Sequence, residues 1–422
     1  MVPNGWEKTL LKNLVCTSIK NGYSPNAVEQ NTGYVVLGLG ALTDHTLDTA
    51  NIKNVEATER VLKTQLCHGD FLISRSNTPD KVGRSVMFRG EIPNCSYPDL
   101  MMKFRADESK VDPSYLEIYL QSPKARQYFK NCAAGSSSSM VKINKSVVEK
   151  TPILKPSLPE QRKIAQILST WDKAIAATEK LIETSKQQKK ALMQQLLTGK
   201  KRLVNPEMGK AFEGNWEEVK LGELGQTFTG LSGKTKEDFG SGAKYIPYIN
   251  IFNNSSVNTA KLEKVQVGGG EKQNTVQFGD VFFTTSSETP DEVGMSSVLL
   301  SEPEEPVYLN SFCFGFRPND TTTLVPEFMQ YLLRSSRVRR SISVLAQGAT
   351  RYNLSKVQLL KINLLLPTSV EQKRIASVLT AADKEIEVLE AKLAHFKQEK
   401  KALMQQLLTG KRRVKIEEME VA

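Results

Sequence analysis

The chain has 422 residues, 39% apolar and 24% charged, with a formal charge of +11. This is the composition of an ordinary soluble globular protein, and the absence of any run of eighteen apolar residues excludes a membrane-spanning helix. The length allows two to four domains, and the basic balance favours a polyanionic partner, because each Lys or Arg set on a phosphate releases a counterion.

From the N-terminus, MVPNGWEKTLLKN (Met1–Asn13) lacks an apolar core behind a basic start, so no secretory signal is expected there. Tyr34–Gly40 (YVVLGLG) is strand-like, and the turn-rich stretch Gly69–Gly83 (GDFLISRSNTPDKVG) follows. Pro113–Cys132 reads as one helix opened by proline. Pro156–Lys201 reads as a long helix, and KKRLVNPEMGKAFEGN, from Lys200 to Asn215, as a charged, Pro/Gly-punctuated linker. Tyr245–Phe252 (YIPYINIF) and Asp280–Thr285 (DVFFTT) are strand-like, Pro326–Leu345 repeats the proline-opened helix, and a second long helix follows Pro367.

The dominant feature is an internal repeat. KKALMQQLLTGK occurs at Lys189–Lys200 and again, letter for letter, at Lys400–Lys411. PSLPEQRKIAQIL (Pro156–Leu168) answers PTSVEQKRIASVL (Pro367–Leu379), and Gly69–Gly83 answers GDVFFTTSSETPDEVG (Gly279–Gly294). GWEKTLLKNL (Gly5–Leu14) answers NWEEVKLGEL (Asn215–Leu224). The chain is thus a tandem duplication: a variable segment, a helix, and both again.

Within each helix the mostly apolar positions step four and three. They run Ile164, Leu168, Trp171, Ile175, Thr178, Ile182, Ser185, Lys189, Leu192, Leu196 in the first copy. In the second they run Ile375, Leu379, Ala382, Ile386, Leu389, Leu393, Phe396, Lys400, Leu403, Leu407. This is a heptad seam. Both helices open on a capping-box pattern, Ser157-x-x-Glu160 and Thr368-x-x-Glu371, and close at Gly199 and Gly410. About 40 residues at ~1.5 Å each make helices of roughly 60 Å. Duplication plus heptads predicts a mixed α/β fold: two globular α/β domains held apart by two long helices in an antiparallel coiled coil, with a pseudo-two-fold internal repeat. Its expected parts are residues 1–155, a helix at 156–201, a linker at 202–214, a second domain at 215–366, a helix at 367–411 and a tail at 412–422.

Patterns for catalysis are weak. TGLSGKT (Thr229–Thr235) leaves only two residues between Gly230 and Gly233, where a phosphate loop needs four. Asp99 with Glu108 and Lys110 matches a metal-dependent nuclease only loosely, and the second copy does not reproduce it. Gly38–Thr43 lacks the third glycine of a dinucleotide fingerprint. No Ser/His/Asp set and no Asn/Asp-Pro-Pro-aromatic methyltransferase motif is present. The five cysteines form no CxxC pair, and the three histidines are scattered, so reduced thiols and no metal are expected.

Basic residues gather in the variable segments. In the first these are Arg75, Lys81, Arg84 and Arg89 in and after the SRSNTPDKVGRS loop, Lys124, Arg126 and Lys130 on the predicted helix, and Lys142. In the second they are Lys234 and Lys236, then Arg334, Arg337, Arg339 and Arg340 on the predicted helix, Arg351 beside Tyr352, and Lys356. Arg reads guanine bidentately and Lys holds phosphate, so these are candidate DNA contacts; the bland reading of each is a solvated charged face.

At EQRKIAQIL and EQKRIASVL, each followed by KKALMQQLLTGK, the chain resembles the DNA specificity subunit of type I restriction-modification systems over its whole length. GATRYNLSKVQLLKINLLLP (Gly348–Pro367) running into EQKRIA adds to the resemblance; GSSSSM (Gly135–Met140) departs from it by a serine run. The resemblance implies a non-catalytic subunit. Each recognition domain would read one half of a bipartite site in double-stranded DNA, and the helices would set the gap. Two modification subunits would dock on the repeated helices at Gln194, Gln195, Leu197, Gln405, Gln406 and Leu408 and methylate adenine N6. Two restriction subunits would join the full complex. S-adenosylmethionine would belong to the modification subunit, and ATP and Mg to the restriction subunit, with no cofactor in this chain. A cytoplasmic location and no membrane follow. Two other readings stay open: a stand-alone DNA nuclease, and a coiled-coil scaffold that binds protein without reading DNA.

Overall fold

The computed structural model describes residues 2–137 and 140–416. Of the expected serine run, Ser138 and Ser139 lie outside the described residues, as do 417–422 of the expected tail. The chain divides into two compact units, residues 1–179 with 392–422, and residues 180–391. Each long helix is therefore shared between them.

In the first unit the central strand is Asp70–Ser74, buried at all five positions. Met101–Arg105 pairs antiparallel on one side and Ser85–Met87 on the other, with Lys20–Asn21 beyond. Both faces are covered, so the strand lacks the apolar–polar alternation of a half-exposed one. Phe71 and Ile73 face a core holding Tyr115, Phe129 and Leu168, while Leu72 faces a second core around Leu37, Val86 and Tyr97. Val35–Leu37 is the middle strand of a small sheet, antiparallel to Ile52–Asn54 and parallel to Cys95–Ser96.

The second unit repeats this plan. Val281–Thr284 is central between Cys313–Pro318 and Ser296–Val298, and Gly225–Thr229 completes the sheet. Val281 and Phe283 face the core with Phe316, Phe328 and Leu379; Phe282 faces the core with Ile246 and Leu309. Phe239–Ile246 lies between Glu263–Val265, antiparallel, and Val307–Leu309, parallel.

Four expectations need correction. Pro113–Cys132 is two helices, Pro113–Gln121 and Pro123–Cys132. Ser122 is extended (ψ 151°) because a residue before proline avoids the α region, and its Oγ accepts the Ala125 N–H to restart the chain as a helix. Pro326–Leu345 likewise divides into Pro326–Leu332 and Ser336–Val344, with Ser335 capping Val338 N–H. YIPYINIF is a strand only to Ile246: Pro247, with no N–H for a ladder, precedes the helix Tyr248–Asn253. The expected linker is folded, with Val204 bridging Ala211 and Phe212 N–H donating to Leu203 O at 2.9 Å.

The long helices run Leu158–Leu196 and Ser369–Leu407. Every seam position read from the sequence is buried or half-buried. In the first unit Trp171 meets Phe396 edge-on at 5.6 Å, Asp172 binds Lys400, and Glu179 binds Lys397 at 2.7 Å. In the second Asp383 binds Lys189, and Glu390 binds Lys186 at 2.7 Å. Rising numbers on one helix meet falling numbers on the other, so the pairing within each unit is antiparallel. The two sets of ion pairs are the same residues displaced by one repeat.

The expected capping boxes serve another purpose. Glu160 accepts from Trp6 Nε1 at 3.2 Å and from Arg413 Nε and Nη2 at 2.6 and 2.8 Å. Glu371 accepts from Trp216 Nε1 at 3.2 Å and from Arg202 Nε and Nη2 at 2.6 and 2.7 Å. Each cluster ties the start of a variable domain and the first turn of one long helix to the residues just past the end of the other.

Candidate nucleic-acid interface

The loop after each central strand is shaped by glycine and held by arginine. Gly83 has φ +72°, and a Cβ there would stand 2.6 Å from the Phe129 side chain; Gly294 has φ +64° and meets Leu354 and Ile342 in the same way. Only glycine meets both demands at no cost. Arg126 Nη1 donates to Val82 O and Nη2 to Asp80 O, at 2.5 and 2.8 Å. Arg339 does the same one repeat on, to Gly294, Asp291 and Val293 carbonyls at 2.6, 2.8 and 2.6 Å. Burial lowers both guanidinium pKa values.

Short strand pairs then bring a second segment to each loop. Ser76–Asn77 pairs with Met140–Lys142, and Ser286–Ser287 pairs with Tyr352–Asn353. The first unit thus places Lys142 beside the Arg75–Lys81 loop. The second places Arg351 and Tyr352 beside a loop in which Thr285 and Glu292 stand where the first has Arg75 and Lys81, with Glu288 added.

The structure sorts the candidate cations into tethers and free groups. Arg84 binds Asp44 at 2.8 and 2.9 Å, Arg89 binds the buried Glu117, and Lys130 binds Asp80 at 2.8 Å. Lys234 is covered and paired with Glu271 at 2.6 Å, which removes it from any phosphate loop. Arg334 donates Nε to Ser296 O at 2.7 Å and Nη2 to the carbonyls of Ile251, Phe252 and Asn254, and burial brings its pKa down to about 10. Apart from Lys130, whose pair with Asp80 is exposed on both sides, these groups are spent on the fold. Arg75 is half-buried, with Nη1 donating to Asp99 O at 3.3 Å. Lys81, Lys124, Lys142, Lys236, Arg337, Arg340 and Arg351 are exposed with no side-chain partner among the described residues. Tyr352 is half-buried, and Lys356 lies over the Phe314 ring at 5.7 Å.

Sequence reasoning missed the groups at the start of each central strand, the end away from its loop. Asp70 accepts from Cys67 N–H, Lys103 Nζ and Arg105 Nε at 2.9, 2.9 and 2.6 Å. Asp280 accepts from Gln277 N–H at 2.8 Å and Arg317 Nε and Nη2 at 2.8 and 2.7 Å. Burial works to raise the Asp70 pKa, but the bonds from Arg105, Cys67 and Lys103 outweigh it and the value lies below normal. At Asp280 burial wins and the value is raised. The repeated Gly-Asp pair was the available signal. Asp99 is held by Ser24 Oγ, and Lys110 pairs with Asp107 at 2.7 Å. Among the described residues no group of three or more His, Cys, Asp or Glu is arranged to hold a metal. No helix is long and apolar enough to cross a membrane.

Of the residues expected to face a partner, Gln194, Gln195, Gln405 and Gln406 are exposed. Leu197 and Leu408 are not: at 2% and 3% exposure they belong to the cores under the helix ends, so they cannot form part of a docking surface in this structure.

Two α/β units on one repeated framework, each presenting its own set of loops and exposed cations, define a duplicated recognition protein. Residues 3–187 and 213–398 both match the family model for the type I restriction modification DNA specificity domain. The chain belongs to that family. It is 28% identical over 431 residues to a putative type I restriction enzyme MjaX specificity subunit of Methanocaldococcus jannaschii, covering 98% of this chain and 95% of the relative. It is 28% identical over 325 residues to the MjaVIII specificity subunit of the same organism, covering 75% and 74%. The fold is shared with a chain solved in work on assembly and conformational transition of the type I R-M system (TM-score 0.60, 16% identity, 98% and 100% covered). It is also shared with the S subunit from M. genitalium (0.55, 15%, 96% and 97%).

Proposed function

We propose that the chain is the non-catalytic sequence-reading subunit of a type I restriction-modification enzyme. Each unit reads one half of a bipartite site in double-stranded DNA, and the paired long helices set the gap between the halves. The observation that carries this reading is the asymmetry of the repeat. The Trp–Glu–Arg clusters, loop-clamping arginines and interhelical ion pairs recur residue for residue, while the surfaces above them differ. A protein that meets one kind of partner twice and two different half-sites once each needs that division.

Partner docking on the repeated helices is supported by the exposed, identical Gln194–Gln195 and Gln405–Gln406 pairs. Two docking surfaces call for two modification subunits that methylate adenine N6 with S-adenosylmethionine. Restriction subunits, using ATP and Mg, would complete the enzyme in the cytoplasm. On the DNA side, Lys81, Lys124, Lys142, Lys236, Arg337, Arg340 and Arg351 are the cations free to hold phosphates or bases.

The test is long-read methylation sequencing of DNA from cells that make this chain with its methyltransferase, beside cells that make the methyltransferase alone. Methylated adenines in a two-part motif of fixed gap, present only with the chain, are expected. Methylation that does not depend on the chain would overturn the reading and favour a scaffold.

A further inference from the structure

The second unit exposes apolar surface beside its recognition loops. Phe312 is 61% exposed and Ile249 56%. Phe312 tops the turn into the strand Cys313–Pro318, and its backbone is fixed. Its N–H donates to Asn310 Oδ1 at 2.8 Å, and its carbonyl accepts the Thr285 N–H at 3.0 Å. Thr285 joins the central strand to Ser286–Ser287, and its own carbonyl accepts the Leu354 N–H at 2.8 Å. Phe312 therefore adjoins the strand pair that presents Arg351 and Tyr352. The helix Tyr248–Asn253 reaches the same strand: Tyr248 Oη donates to Ser286 O at 2.9 Å, and its ring stacks on Phe252 at 5.9 Å. An exposed phenylalanine and an unpaired guanidinium thus adjoin one strand pair, and the helix that carries the exposed Ile249 reaches it through Tyr248.

The equivalent place in the first unit exposes less apolar surface. Leu100 stands where Phe312 does, since Arg75 N–H donates to its carbonyl at 2.8 Å, but Leu100 is half-buried. Around it are Arg75, Asp99 and Ser24, bonded to one another. The framework is constant, while the side chain at its tip changes from a half-buried leucine among bonded polar groups to an exposed phenylalanine.

In the major groove of DNA the thymine 5-methyl is the apolar mark that distinguishes an A·T pair, and aromatic side chains are among the groups that contact it. Exposed cations nearby suit the phosphates on either side. We propose that Phe312, beside the strand pair that carries Arg351 and Tyr352, is a specificity-determining residue that packs on a thymine methyl in the half-site read by the second unit. This rests on the reading of each unit as a half-site reader.

The test uses the full chain bound to its methyltransferase and a duplex carrying the methylated motif. Each thymine of both half-sites is replaced in turn by deoxyuridine, which removes only the methyl. One replacement in the second unit's half-site weakens binding roughly fourfold, the worth of one buried methyl group. Phe312→Ala weakens binding more and abolishes that deoxyuridine penalty, because the two changes remove one contact. Phe312→Leu keeps most of the penalty, which separates contact from folding. Replacements in the other half-site cost the same with either side chain.

A second half-site that holds no thymine, or that tolerates every deoxyuridine, overturns the proposal. So does a penalty undiminished in Phe312→Ala, or a Phe312→Ala chain that loses its methyltransferase while its DNA preference stands. If the wild-type complex binds no bipartite DNA, the half-site reading itself has failed, and that result is seen before any thymine is changed.

Discussion

Glu371→Gln tests the cluster that closes the second unit. The Glu371 side chain is 1% exposed and accepts three hydrogen bonds, two from Arg202 and one from Trp216 Nε1. Glutamine keeps the shape but removes the charge, and it turns an N–H₂ toward the guanidinium. Breaking a buried ion pair on one side costs ~3–5 kcal/mol when both partners are fully enclosed. Arg202 retains some exposure, so part of that cost is screened and roughly 2–3 kcal/mol is expected. For a unit of about 200 residues this lowers the melting temperature by about 5–10 °C. The control is Lys186→Met, which breaks an ion pair whose partners are each 51% exposed and should cost less than ~1 kcal/mol. Differential scanning calorimetry of the full chain, with fluorescence to follow Trp216, reads both. Glu160→Gln should produce a smaller loss in the first unit's transition, because Arg413 is more exposed than Arg202. If Glu371→Gln is no more damaging than Lys186→Met, the cluster does not hold the unit together.

Other outcomes follow from the same structure. Cys16, Cys67 and Cys132 are exposed, whereas Cys95 and Cys313 are buried and burial raises both thiols, Cys95 to about 12. A thiol reagent at pH 8 should modify three of the five quickly and the last two only on unfolding, as counted by mass spectrometry. Asp70 has a lowered folded pKa, so its stabilisation is complete above the unfolded carboxyl value near ~3.9 and is lost as pH falls through the folded value. Asp70→Asn should therefore cost most at neutral pH, with the difference from wild type closing in acid urea titrations. Asp280, with a raised value, has the opposite sign, and Asp280→Asn should show no such closing. Adding one turn to either long helix should lengthen the gap in the methylated motif, by about two base pairs for ~5.4 Å, and leave both half-sites unchanged; an unchanged gap would refute the ruler.

The helical framework was legible because its signals are local and periodic. Each seam residue from Ile164 to Leu196 and from Ile375 to Leu407 could be named from spacing alone, and the exact repeat pointed to one plan used twice. Failures came where a single residue redirects the chain. Ser122 and Ser335 divide helices whose apolar pattern runs on across them, and Pro247 turns a strand-like run into a helix. The basic residues were not separable by type. Arg334 and Arg351 look alike in sequence, yet one fills a nest of carbonyls and the other is free, and only tertiary contacts distinguish them. Leu197 and Leu408 were mistaken for surface because identity between repeats marks shared cores as well as shared interfaces. The Trp–Glu–Arg clusters were hidden for a different reason: their bonded members lie far apart in sequence, 154 positions for Trp6 and Glu160 and 253 for Glu160 and Arg413.

Whether each unit reads one half of the site independently is decided by exchanging residues 215–366 for the corresponding segment of another family member and sequencing the methylated motif. The expected motif changes in one half while the other half and the gap remain. A motif that changes in both halves, or in neither, would contradict independent reading.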